Sequence, residues 1–225
     1  MTTTMLKSDS QIQQQVLQEL KWDPRVDENE IGVQVAKGIV TLTGTIDSYA
    51  KKVAAREASH RVEGVLDVAD ELVVRSVLGK ERPDSEVAKA VRAALEWDAF
   101  VPDDKIRTTV SKGWVTLEGE LEQWYQREDA RRAIERLNGV RGVTNQIVIK
   151  ARGADAGTVR AAIEEALERQ AEREAKRIRV SVKDGTVRLT GTVRSWSEKN
   201  AVERAASFAP GASWIENELS VDSIS

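Results

Sequence analysis

The sequence predicts an α+β protein built as three tandem αββαβ units, each a three-stranded mixed or antiparallel sheet covered on one face by two helices. Three observations point there. A glycine-bounded heptapeptide occurs three times, as Gly38-Ile39-Val40-Thr41-Leu42-Thr43-Gly44, as Gly113-Trp114-Val115-Thr116-Leu117-Glu118-Gly119, and as Gly185-Thr186-Val187-Arg188-Leu189-Thr190-Gly191. The spacings between copies, 75 residues from Gly38 to Gly113 and 72 from Gly113 to Gly185, also align Gly64 with Gly139 and Gly211, and Tyr49 with Trp124 and Trp196, without a gap. In that register the apolar periodicity changes from helical to alternating at matching places in every copy. The units are expected at residues 1–76, 84–150 and 155–222, the last being the most divergent.

The first element of each unit is a helix. Ile12, Val16 and Leu20 form a four-residue ladder, repeated by Val87, Val91 and Leu95 and by Val159, Ile163 and Leu167, which places one apolar face toward a core. Asp9 or Ser10, Asp84 or Ser85, and Asp155 stand where N-caps are expected. Ile31, Val33 and Val35 then alternate as a half-buried strand does, as do Ile106, Thr108 and Val110, and Ile178, Val180 and Val182. Val40 and Leu42 continue the alternation after Lys37-Gly38. With Lys112-Gly113 and Asp184-Gly185 at the same point, a tight hairpin with a positive-φ glycine is predicted between antiparallel neighbours.

A second helix follows, with small residues three apart at Ala55 and Ala58, Ala130 and Ala133, and Val202 and Ala205 for close packing on the sheet. Ser195-Trp196-Ser197-Glu198 fits a capping box at its start in the third unit. Gly64, Gly139 and Gly211 are read as its left-handed C-terminal cap. The last strand carries Val68, Asp70, Leu72 and Val74, matched by Val143, Asn145, Ile147 and Ile149 and by Ile215, Asn217, Leu219 and Val221. Units of this size are marginal alone, so docking between neighbours or self-association is expected to add stability.

Composition narrows the function classes. At 40% hydrophobic and 32% charged residues, with four prolines, the chain buries apolar surface and does not read as a disordered tail. The net charge of −3 is spread along it: nine basic against twelve acidic residues in 1–79, fourteen against thirteen in 80–152, eleven against twelve in 153–225. That balance argues against nucleic acid as a partner, since phosphate contacts require a basic excess. With no cysteine and one histidine, a transition-metal site has little to build on, and no metal or other cofactor is expected. The start of the chain leads into a polar, Gln-rich helix without an apolar run of signal-peptide length. No transmembrane segment is expected either, and the predicted location is cytoplasmic or peripheral at the inner membrane.

The αββαβ order, the hairpin ending in Gly-x-Val-x-Leu-x-Gly and the later Gly-Val-x-x-Val stretch resemble the BON-domain family. The fit is best at Gly38 to Gly44 with Gly64-Val65-Leu66-Asp67-Val68, and at Gly113 to Gly119 with Gly139-Val140-Arg141-Gly142-Val143. The third copy departs, with Pro210-Gly211-Ala212-Ser213-Trp214-Ile215 in place of that stretch and a charged segment from Arg169 to Arg177 where the others have Trp22-Asp23-Pro24 and Trp97-Asp98. The resemblance implies an interaction module without enzymatic activity, acting at phospholipid surfaces, in envelope maintenance or in osmotic stress. In one cytoplasmic type it implies potassium binding, which leaves an ion-responsive stress protein as the alternative reading.

The residues agree in offering no enzyme. His60 aligns with Glu135 and Ser207 and is expected to be a solvated surface side chain; it is the only imidazole and nothing places a serine beside it, so no serine triad is expected. No glycine loop has the lysine and hydroxyl of a phosphate loop. The candidates for binding anionic lipid or a partner protein are Arg127, Arg131, Arg132 and Arg136 on the second helix of the middle unit, with Arg141 beyond it and Trp124 at its start. Each basic residue near an anionic bilayer contributes on the order of 1 kcal/mol. Tyr49, Trp124 and Trp196 are nevertheless expected to pack over the sheet edge, and Trp22, Trp97 and Trp114 to serve the fold in the same way.

Overall fold

The computed structural model describes residues 7–75, 82–150, 156–170, 177–209 and 211–221, with 166–170 described by backbone only. The linkers at 76–81 and 151–154, the cap assigned to Asp155, the Leu167 side chain, the charged run at 171–176 and Pro210 lie outside the described residues.

The first repeat contains α1 (Asp9–Trp22), β1 (Ile31–Ala36), β2 (Ile39–Ile46), α2 (Tyr49–His60) and β3 (Asp67–Val74). The second contains α3 (Asp84–Trp97), β4 (Ile106–Ser111), β5 (Trp114–Leu121), α4 (Trp124–Glu135) and β6 (Gly142–Ile149). The third contains α5 (Ala156–Gln170), β7 (Ile178–Lys183), β8 (Thr186–Val193), α6 (Trp196–Ser207) and β9 (Trp214–Val221). The strands make three separate sheets of order β1-β2-β3, β4-β5-β6 and β7-β8-β9. β1 and β2 pair antiparallel, with Val35 opposite Val40, whereas β2 and β3 pair parallel because α2 carries the chain back across the sheet. The second repeat copies this mixed pattern, and β7 pairs antiparallel with β8 in the third.

The ladders point inward as predicted. Ile12, Val16 and Leu20 of α1 meet Val33, Val40, Leu42 and Leu72 of the sheet, while Ala55 and Ala58 let α2 lie close. Val87, Val91, Leu95, Val115, Leu117 and Ile147 are buried at the equivalent places of the second repeat, and Val159, Ile163, Val187, Leu189 and Leu219 in the third. Burying each such side chain stabilises by roughly 1.5–3 kcal/mol, which is why one pattern suffices for three cores. Contacts gather the chain into two compact units: the first repeat with Val193–Glu198, and the second with the third up to Thr192 and over Lys199–Ser220.

The expected caps are displaced by one residue, for an instructive reason. Ser8 caps α1 in a capping box with Gln11, and Pro83 stands at that position before α3. The Asp9 carboxylate instead accepts the backbone N–H groups of Lys37 and Gly38 at 2.8 and 2.9 Å, and Asp84 accepts those of Lys112 and Gly113 at 2.7 and 2.9 Å. Both central residues of each hairpin have positive φ, Lys37 at 53° and Gly38 at 75°, a backbone that matches the strand twist but strains a lysine. The aspartate holds that turn in place. The two N–H bonds also lower the Asp9 pKa from its ordinary value.

The later glycines differ in kind. A Cβ on Gly44, Gly119 or Gly191 would lie 2.1, 2.2 or 2.1 Å from the carbonyl oxygen of Glu30, Lys105 or Arg177, so the entry to the neighbouring strand excludes any side chain. Gly64, Gly139 and Gly211 do not cap the second helices, which end earlier at His60, Glu135 and Ser207. With φ of 95°, 96° and 92° they form the turn into the last strand instead. In the third repeat the Ser195 hydroxyl accepts from the Glu198 N–H as a cap does, but the Glu198 carboxylate accepts from the Arg194 N–H and so leaves the expected box incomplete.

Candidate functional site

Helix α4 faces β6 with Arg127, whose guanidinium donates to the carbonyls of Ile147 and Asn145 at 3.2 and 3.1 Å and pairs with Glu128 at 2.9 Å. Burial pushes the Arg127 pKa down, against the pull of Glu128. The same bolt occurs in every repeat: Lys52 donates to the Leu72 carbonyl at 2.6 Å, and Lys199 to that of Leu219 at 2.7 Å. Beside it Asp70, Asn145 and Asn217 each accept the N–H two residues on, at 3.2, 3.2 and 3.3 Å. Arg127 therefore ties the second helix to the last strand and is turned away from solvent. The register alone pairs it with Lys52 and Lys199, a signal in the sequence that the arginine cluster obscured.

The other candidates divide by exposure. Arg131 is held between Glu128, at 3.0 Å, and Glu135. Arg132 is exposed and reaches Asp129 at 3.4 Å, while Arg136 is exposed at the end of α4. Burial pushes the Asp129 carboxyl up, opposed by Arg132. Arg141 is half-buried at the opposite end of the sheet from the start of α4, with its side-chain stem against Gly113 and its N–H donated to the Gly113 carbonyl at 2.8 Å. The five arginines do not form one cationic face.

Among the ring side chains, Trp124 packs as expected, whereas His60, Trp22, Trp97 and Trp114 do not. Trp124 is buried, with its ring edge-on to Trp214 at 5.3 Å and the Arg127 guanidinium 4.7 Å above it, so it presents no anchoring surface. In the unit that includes Val193–Glu198, His60 is not a solvated side chain: it is half-buried and stacks on Trp196 at 4.1 Å, and the Trp196 indole N–H donates to the Leu66 carbonyl. Trp22 and Trp97, by contrast, are 80% and 89% exposed, and Trp114 is 56% exposed, so none of the three serves the core. The first two were legible. Each lies two residues beyond the last rung of its ladder, about 200° around the helix from Leu20 or Leu95.

The BON domain family matches residues 8–76, 83–151 and 155–223, which is most of the chain. The chain belongs to the BON family. It is 29% identical over 147 residues to osmotically-inducible protein Y of Escherichia coli (strain K12), a likeness spanning 63% of this chain and 73% of that protein. Two solved structures of CdsD, a structural protein of the type III secretion system of Chlamydia trachomatis, align over 93% of the chain and over 91% and 96% of their own lengths. At 15% identity and a TM-score of 0.27, those alignments carry no argument about this BON protein.

Among the described residues of the three BON repeats, no three His, Cys, Asp or Glu side chains are grouped so as to hold a metal ion. No described helix is long and apolar enough to cross a membrane. What the BON repeats do offer is surface chemistry: exposed indoles at the ends of α1 and α3, exposed arginines on α4, and an aromatic hairpin tip in the second repeat.

Proposed function

We propose that this BON protein is a non-enzymatic adaptor that binds anionic phospholipid surfaces, or partner proteins, in the response to osmotic or envelope stress. The observation that carries the reading is the exposure of Trp22, Trp97 and Trp114, since indoles, with an apolar body and a polar N–H, favour the membrane boundary. The exposed Arg132 and Arg136 supply attraction to anionic headgroups. Support for the stress role is the likeness to osmotically-inducible protein Y.

Co-sedimentation of the full chain with phosphatidylglycerol vesicles and with phosphatidylcholine vesicles at low salt tests the lipid reading. The expected result is recovery with the anionic vesicles that falls as salt is raised. Equal recovery with both, or with neither, contradicts it.

A further inference from the structure

One end of the second repeat differs in its side chains from the matching ends of the other two. We infer that the tip of the β4–β5 hairpin, made by Lys112, Trp114, Arg141 and Arg82, is the surface that seats the chain on an anionic bilayer. This rests on the lipid reading above and locates it.

These residues form one patch. Arg82 lies against Gly139 and Arg141 against Gly113, which itself approaches the Gly139 carbonyl: a Cβ on Gly139 would meet the Arg82 side chain at 3.1 Å, and one on Gly113 would meet that of Arg141 at 3.0 Å and the Gly139 oxygen at 2.7 Å. Arg82 also donates to the Asn138 carbonyl at 3.4 Å. The Trp114 ring lies across Gly142, where a Cβ would come within 2.3 Å of it, so only a residue without a side chain leaves room for the indole, which stays 56% exposed.

The other repeats keep this backbone and change its chemistry. At the first tip, Lys7 is neutralised by Glu63 at 2.8 Å, Asp67 replaces Gly142, Ile39 replaces Trp114 and Leu66 replaces Arg141. At the third, Asp184, Thr186 and Ser213 stand for Lys112, Trp114 and Arg141, and Trp214, which stands for Gly142, is set against Trp124. The second tip loses the counterparts of Glu63 and Asp67 and gains a cation and an indole. Asp84 is directed to the backbone N–H groups of Lys112 and Gly113, and Glu86 stands 3.7 Å from Arg82. An indole flanked by cations on a hairpin tip meets a planar anionic surface without needing a shaped counterpart, which favours a bilayer over an acidic protein segment.

The test exchanges the tip for one that this fold already tolerates: Lys112→Asp, Trp114→Thr and Arg141→Ser together, the residues of the third repeat. Asp184 has φ of 50° against 52° for Lys112, so the backbone is preserved, and unchanged thermal unfolding confirms folding of the variant. The full chain is titrated with phosphatidylglycerol vesicles, and bound fraction is read by sedimentation. The variant is expected to lose roughly tenfold or more in partitioning. In addition, the wild-type emission minus that of Trp114→Thr is expected to shift to the blue on binding. A folded variant that partitions like wild type overturns the tip while leaving the lipid reading standing. Wild type that binds no vesicles overturns both. Displacement by millimolar inorganic phosphate, or by polyglutamate at matched ionic strength, overturns the bilayer as occupant in favour of a free phosphate or an acidic protein.

Discussion

Gly119 shows how little freedom some single positions have. Its Cβ would strike the Lys105 carbonyl oxygen at 2.2 Å, backbone against backbone, at a φ of 149°. Gly119→Ala is expected to destabilise the second repeat by about 3 kcal/mol or more, measured by denaturant unfolding. Gly32→Ala meets only the Thr43 hydroxyl, at 2.7 Å, which rotates away, so its cost is expected to stay near ~1 kcal/mol. Asp23 makes a different prediction. Its buried carboxylate accepts from Arg25 and Arg61 at 2.8 and 3.0 Å, and the Arg25 bonds hold its pKa well below the usual carboxylate range. A depressed folded pKa gives stability that is present above the unfolded value near ~4 and is lost as pH falls through the folded one. Asp23→Asn is therefore expected to cost about 1–2 kcal/mol at pH 7, discounted because both arginines are nearly half exposed, and to flatten the loss of stability below about pH 4. Urea midpoints between pH 7 and pH 2 check this.

At the scale of elements, the bolt from the second helix to the last strand decides what Arg127 does. Arg127→Met is expected to destabilise the second repeat by about 2 kcal/mol while leaving vesicle binding unchanged. Arg127→Lys should cost much less, since Lys52 and Lys199 do the same work in the other repeats. Equal unfolding midpoints for the Arg127→Met variant and wild type would contradict the role. The helices and strands of all three repeats could be read from the sequence because three sequences had to satisfy one periodicity. The ends of those elements could not. Asp9 resembles an N-cap by position, yet its carboxylate reaches the hairpin twenty-eight residues away, and only the packing of α1 beside β1 brings the two together. Gly64 resembles a helix cap because it follows α2, but the helix stops where Arg61 and Val62 turn back onto Ala58 and Ser59.

At the scale of the molecule, two aromatic residues that break the repeat in the third copy touch the second. Trp214 stands where the others have Asp67 and Gly142, and Phe208 where they have Arg61 and Arg136. In the compact unit they share with the second repeat, Trp214 meets Trp124 and Phe208 stacks on Tyr125 at 5.5 Å. From the sequence these looked like erosion of a pattern, because a contact between repeats has no place in the register within them. Trp214→Ala is expected to expose Trp124 and raise acrylamide quenching of the remaining emission. Exposed candidates were equally hard to recognise: Arg127 and Arg132 read alike as charges on one helix, and only the placement of β6 separates the bolt from the surface.

Amide hydrogen exchange of the full chain with and without phosphatidylglycerol vesicles tests the central claim, that the surface chemistry of the second repeat meets anionic lipid, most directly. The account predicts slowed exchange at residues 112–114 and 141 and none at the matching 184–186 and 213. Protection spread evenly over the three hairpins, or confined to the third, would contradict it.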